Sequence, residues 1–164
     1  MPDRFLVNRT FDEIAIGEEA SLSRRFGQQD LDLFALVTGD VNPAIMDPAF
    51  AKTDILHKVA AHGLLSGGLI AAVLGTKLPG PGTVYLEQAL EFLKPVELGD
   101  TITATVTVTQ KFAEKADMVL ACRCTNQRGD LVVRGSARVR APRDKVSVKK
   151  FELPDVRLNR AAAW

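Results

Sequence analysis

Two short stretches hold the groups that could do chemistry. Gly39-Asp40-Val-Asn42-Pro-Ala-Ile45-Met-Asp47 offers a carboxylate and an amide just ahead of a proline. Ala61-His62-Gly63 opens a run free of charged residues that continues to Thr76. An apolar pocket would raise the pKa of Asp40 and suit it to act as a base. The backbone N–H of Gly63 would stand unpaired at the positive end of a helix. Such a donor fits an oxygen that gains charge during a reaction. Each group also has a plainer role. Aspartate and asparagine beside a glycine and a proline are common turn formers, and by spacing alone that reading of Asp40 and Asn42 is preferred. His62 reads as a capping or satisfied histidine in preference to a general acid. For Gly63, helix-start glycine and oxyanion donor stand level. His57, on a loop in Asp54-Ile-Leu-His-Lys58, is the only other histidine. It reads as a surface residue.

These groups must be placed by elements that the pattern predicts. Ala20 to Phe26 reads as a strand. Asp30 to Thr38 is a short amphipathic helix with Leu31, Phe34 and Ala35 on one face, ended by Gly39. Asp40 to Asp47 is expected to be a loop, because the residue before proline is pushed to extended geometry. A second short helix, about Pro48 to Lys52, carries proline in its first turn. From His62 to Gly75 the chain is apolar all round, which predicts a buried helix about 21 Å long at 1.5 Å per residue. Leu78-Pro-Gly-Pro-Gly82 breaks it. From Thr83 to Arg140 the pattern is strand after strand. Ile102, Ala104, Val106 and Val108 alternate with threonines. Met118, Leu120, Cys122 and Cys124 share a face, as do Val133, Gly135, Ala137 and Val139. Turns fall at Val96–Asp100 and Asn126–Asp130. Arg134, Arg138 and Arg140 point outward, as a solvated face or as partners for coenzyme A phosphates. Residues 1–140 read as one domain and 141–164 as a tail or linker, with a basic stretch at Lys145–Lys150 and an apolar end at Ala161–Trp164.

Composition bounds the class. The chain has 164 residues, 21 Lys plus Arg against 20 Asp plus Glu, and a net charge of +1. No field of one sign exists to attract nucleic acid or an anionic membrane surface. Cys122 and Cys124 have no second pair with which to form a zinc site, and reduced packing residues of a cytoplasmic protein are expected. The longest run without Asp, Glu, Lys, Arg or His, about Gly63 to Thr76 at 14 residues, is shorter than the roughly 20 needed to span a bilayer. The polar start, Met1-Pro-Asp-Arg4, lacks the apolar core of a secretory signal.

A uniformly apolar helix and four or five strands with one apolar face leave few arrangements. The sheet must bury that face and the helix must be covered. An α+β hot-dog architecture, with a curved antiparallel sheet wrapped around one long helix, meets both demands. It leaves a sheet edge and part of the helix open, so a homodimer is expected.

The stretch Gly39–Asp47 followed by Ala61-His62-Gly63 resembles the hydratase motif of the MaoC-like, (R)-specific enoyl-CoA hydratase family. Leu78–Leu86 and Phe92–Asp100 also resemble it, and more narrowly the N-terminal domain of bifunctional enoyl-CoA hydratase/phosphate acetyl- or butyryltransferases. The resemblance spans about Phe11 to Arg140. It implies a hot-dog fold, an acyl-CoA thioester as partner, no metal, and no cofactor other than the coenzyme A of the substrate. It also implies that a phosphate acyltransferase domain can accompany such a chain. With the motif in view, Asp40 is taken as a site residue, Asn42 as support for its loop, and Gly63 as the donor to the thioester oxygen. One departure outweighs the matches. The family reads Asp-x-Asn-Pro-x-His-x-Asp, and Ile45 stands where that histidine would be. The resemblance implies that Asp40 and the histidine would share a catalytic water, one accepting a proton and the other supplying one to the α-carbon. Isoleucine titrates nothing and disfavours a water beside it. Hydration of trans-2-enoyl-CoA to (R)-3-hydroxyacyl-CoA is therefore expected to be severely reduced or absent. A non-catalytic acyl-CoA-binding or dimerisation module, or a hot-dog thioesterase, are the alternatives.

Overall fold

A computed structural model describes residues 4–158. Strand β1 (Phe5–Val7) and a 3₁₀ turn (Phe11–Glu13) lead into β2 (Glu19–Arg25). Helices α1 (Gln28–Thr38), α2 (Pro43–Met46), α3 (Pro48–Ala51) and α4 (Gly63–Thr76) follow. Strands β3 (Val84–Phe92), β4 (Thr101–Phe112), β5 (Asp117–Thr125), β6 (Leu131–Arg140) and β7 (Ser147–Lys149) complete the chain.

Five strands form one antiparallel sheet in the order β2-β4-β5-β6-β3. Alternation sets its register: Val106 lies opposite Cys122, and Cys122 opposite Gly135. A slip by one residue would turn each apolar set out to water. Register shifts occur at Tyr85/Glu87, Val108/Gln110 and Cys124/Thr125. Such irregularities bend a strand and increase its twist, which helps the sheet curl. Helix α4 packs on this face through Leu69, Ile70, Val73 and Leu74, against a core that includes Ile102, Val106, Met118, Leu120 and Val139. Fully burying side chains of this kind is worth about 1.5–3 kcal/mol each, so this contact holds the domain together. The hot-dog arrangement follows from it.

Three local readings change. Asp40–Asp47 is not loop throughout: Asn42 Oδ1 accepts the Ala44 N–H at 3.0 Å and Pro43 opens the one-turn α2. Helix α4 is not covered all round, since Leu64 is 60% exposed. The segment after Arg140 begins as part of the folded body. Ala141 is buried, and β7 pairs antiparallel with β1. The buried Asn8 pins this return, donating from Nδ2 to the Asp144 carbonyl and accepting the Val146 N–H, both at 2.9 Å. The apolar end Ala161–Trp164 and the residues Met1–Asp3 lie outside the described residues.

Candidate functional site

The end of α1 places Asp40. Gly39 adopts the left-handed conformation (φ 75°) and donates its N–H to the Ala35 carbonyl at 2.8 Å, which turns the chain sharply. Glycine takes this conformation without a Cβ clash. The Asp40 N–H then donates to Thr38 Oγ1 at 3.2 Å, and Asp40 Oδ1 accepts the Asn42 N–H at 3.3 Å. Half of the Asp40 side chain remains exposed.

Asn42 and Asp47 cap α2 and α3 in succession, Asp47 Oδ1 accepting the Ala49 N–H at 2.8 Å. Ile45, on the single turn between them, packs against the edge of the core and enters the wall of a cleft of about 410 Å³. That volume suits a small-molecule ligand. Ile55, Leu56, Phe92 and Val133 make the wall largely hydrocarbon, and Gly63 opens onto it from the first turn of α4. Among the described residues none accepts the Gly63 N–H. An unpaired donor at a helix N-terminus thus belongs to a residue that lines an apolar cleft, a setting in which a developing oxyanion would gain from it.

His62 occupies the N-cap of α4 without a side-chain capping bond. Its ring is buried and lies 4.5 Å from that of Phe34. Nε2 stands 3.3 Å from the Asp40 carbonyl oxygen and 3.6 Å from Oδ2, whereas Nδ1 is buried and has no hydrogen-bond partner. Of these two oxygens only the Asp40 carbonyl is within hydrogen-bond distance of Nε2. His62 thus holds the N-cap position without a side-chain cap and is satisfied at Nε2 alone; it fastens the Asp40 loop to α4. It does not stand in for the missing group at position 45, because it is enclosed and absent from the cleft wall. His57 is exposed, with Nδ1 3.2 Å from the Lys52 carbonyl, and supplies no second imidazole either.

The structure therefore brings Asn42, Ile45 and Gly63 to one cleft and sets Asp40 against His62 beside it. The outward arginines are engaged elsewhere. Arg138 and Arg140 each donate to the Asp117 carboxylate at 2.8 Å, and Arg134 pairs with Glu91 at 2.6 Å. As cleft residues, Phe92 and Val133 escaped the sequence reading. Only Phe92, the last strand residue before Lys94-Pro95, carried a local signal. Among the described residues no group of three or more potential ligands could hold a metal ion, and no helix is long and apolar enough to cross a membrane.

Comparison with known proteins adds to this geometry. The family model described as "MaoC like domain" matches residues 11–125. The (R)-specific enoyl-CoA hydratase of Rhodospirillum rubrum is 44% identical over 137 residues, covering 84% of this chain and 94% of the relative. The (R)-specific enoyl-CoA hydratase of Aeromonas caviae is 41% identical over 129 residues, 79% of this chain and 96% of the relative. Among solved structures, the unliganded R-hydratase PhaJ1 from Pseudomonas aeruginosa superposes with a TM-score of 0.90 at 41% identity, over 94% of this chain and 99% of that one.

Proposed function

The chain belongs to the MaoC-like family, and from that premise we propose that its cleft binds acyl-CoA thioesters and that hydration of trans-2-enoyl-CoA to (R)-3-hydroxyacyl-CoA is crippled by Ile45. Hydration adds oxygen to the β-carbon and a proton to the α-carbon, while one proton leaves the attacking water. Asp40, half-exposed beside the cleft rather than in its wall, is the base in this account. The Gly63 N–H receives the thioester oxygen as it gains charge. The proton for the α-carbon has no donor at position 45, and the buried His62 does not reach into the cleft to give one. The observation that carries the reading is Ile45 in the wall that also presents Gly63.

Kinetics with crotonyl-CoA test it. The unaltered protein is expected to be slow, and Ile45→His to gain roughly 10²–10⁴-fold, the contribution of one positioned acid–base group. An unaltered protein that is already fast overturns the inferred loss; an Ile45→His protein with no gain overturns the Asp–His account of the site. The same hydrocarbon at position 45 favours a second reading, in which the domain binds acyl-CoA without turning it over. Saturable binding with neither hydration nor release of free thiol distinguishes that role from hydratase and thioesterase alike. A homodimer formed along the β3 edge is part of the proposal.

A further inference from the structure

We propose that the Phe92 ring, admitted against the start of α4 by Gly63, makes the cleft selective for acyl-CoA thioesters unbranched at the α-carbon. The inference rests on the acyl-CoA reading above and names the class of acyl group that the site takes.

A Cβ built on Gly63 would stand 2.9 Å from Cε1 and 3.0 Å from Cδ1 of Phe92. Side chains do not approach so closely, so the ring occupies the space that any residue other than glycine would fill. The Gly63 nitrogen lies about 1.46 Å from the same Cα. A thioester oxygen accepting its N–H would sit about 2.9 Å further out. In this proposal the carbonyl carbon and its neighbouring α-carbon lie along the edge of the ring. Strand pairing fixes the backbone that carries the ring, since Phe92 is in register with Val133, another wall residue. The ring itself is half-exposed and lends its apolar surface to the cleft rather than to the core. Ile45 adds a further rigid, branched wall. A methylene chain is slender enough to pass. A methyl branch on the α-carbon meets the ring where the carbonyl must dock.

The test uses butyryl-CoA and isobutyryl-CoA, which have equal carbon count and no double bond to hydrate. Calorimetric titration of the full chain therefore reads binding, whatever the turnover. Butyryl-CoA is expected to bind at least about tenfold more tightly, within the roughly 10–200-fold that one methylene commands in a hydrophobic pocket. Phe92→Ala is expected to bring the two affinities within about twofold, chiefly by improving isobutyryl-CoA, with Phe92→Leu intermediate. Thermal melts and elution volumes identify any variant that has lost its fold or assembly, and if Phe92→Ala fails there, Phe92→Leu carries the comparison. Equal affinities in the unaltered protein, or an unchanged ratio in a folded variant, overturn the proposal. An unaltered protein that binds neither thioester overturns the acyl-CoA reading itself.

Discussion

Asp40, Asn42 and Ile45 could be singled out through the family resemblance because they lie within one eight-residue stretch, and the structure sets Asn42 and Ile45 on one cleft with Asp40 beside it. The partners that decide what Asp40 experiences were not legible. His62 is 22 positions away and reaches it only because α1 and α4 converge, and Phe92 meets Gly63 only because β3 ends beside that helix. Side chains remote in sequence leave no periodic trace of their meeting. The same holds for the carboxylates that tie the sheet and its turns. The Arg140 and Arg138 guanidinium groups hold the Asp117 carboxyl below the ordinary range, against the opposing effect of burial. Asp130 is lowered to about 2 by its hydrogen bond from Lys94, helped by Asn126 and Arg128. Both pKa values are depressed in the folded state. Both contributions to stability are therefore complete above the ordinary value of 3.8 and are lost as pH falls below it, for Asp130 toward about 2. Urea midpoints measured from pH 6 downward should fall through this window, and Asp130→Asn should flatten the fall. A midpoint indifferent to pH across that window contradicts the assignment.

At the scale of elements, strands with one buried face could be read residue by residue. Ile102, Ala104, Val106 and Val108 are all buried as their alternation predicted. Strand β3 was placed correctly in the chain, but its pattern carries no buried face. Helix α2 is too short for periodicity, and its start depends on a cap rather than on an apolar stripe. The β1–β7 pairing involves three residues on each side, which hold no alternating signal long enough to count. Gly135 shows where strand pairing depends on a single absent side chain. A Cβ there would stand 1.9 Å from the Ala89 carbonyl oxygen and 2.9 Å from its carbon, both backbone atoms of β3. Neither can swing aside as a side-chain tip would, so β3 and β6 would have to part. Gly135→Ala is expected to cost about 3 kcal/mol, the upper end of ordinary overpacking. At this chain length that lowers Tm by roughly 6–12 °C. A calorimetric scan that leaves Tm unchanged would mean that the β3–β6 approach is looser than described.

For the molecule as a whole, the demand that placed the sheet around α4 also shows where one copy falls short. Strand β3 is an outer edge of the five-stranded sheet, and Val84, Leu86 and Phe92 on it are exposed. Leu64 of α4 is exposed as well. An edge of nine residues with apolar side chains and, among the described residues, no second neighbour is a template for pairing. In the proposed homodimer a second copy of the same chain supplies the complementary edge, since a two-fold axis brings like patches together. The cleft wall takes in Phe92 at the end of this strand, so loss of pairing should also loosen that wall. Sedimentation equilibrium is expected to give twice the chain mass of 17.8 kDa. Val84→Asp combined with Leu86→Asp sets like charges against each other across the axis and should yield monomers whose acyl-CoA affinity drops together with the mass. An unaltered chain that sediments as a monomer at micromolar concentration, or a doubly charged variant that remains dimeric, would place the contact elsewhere. A monomeric variant that binds acyl-CoA with unchanged affinity would show that the cleft is complete within one chain.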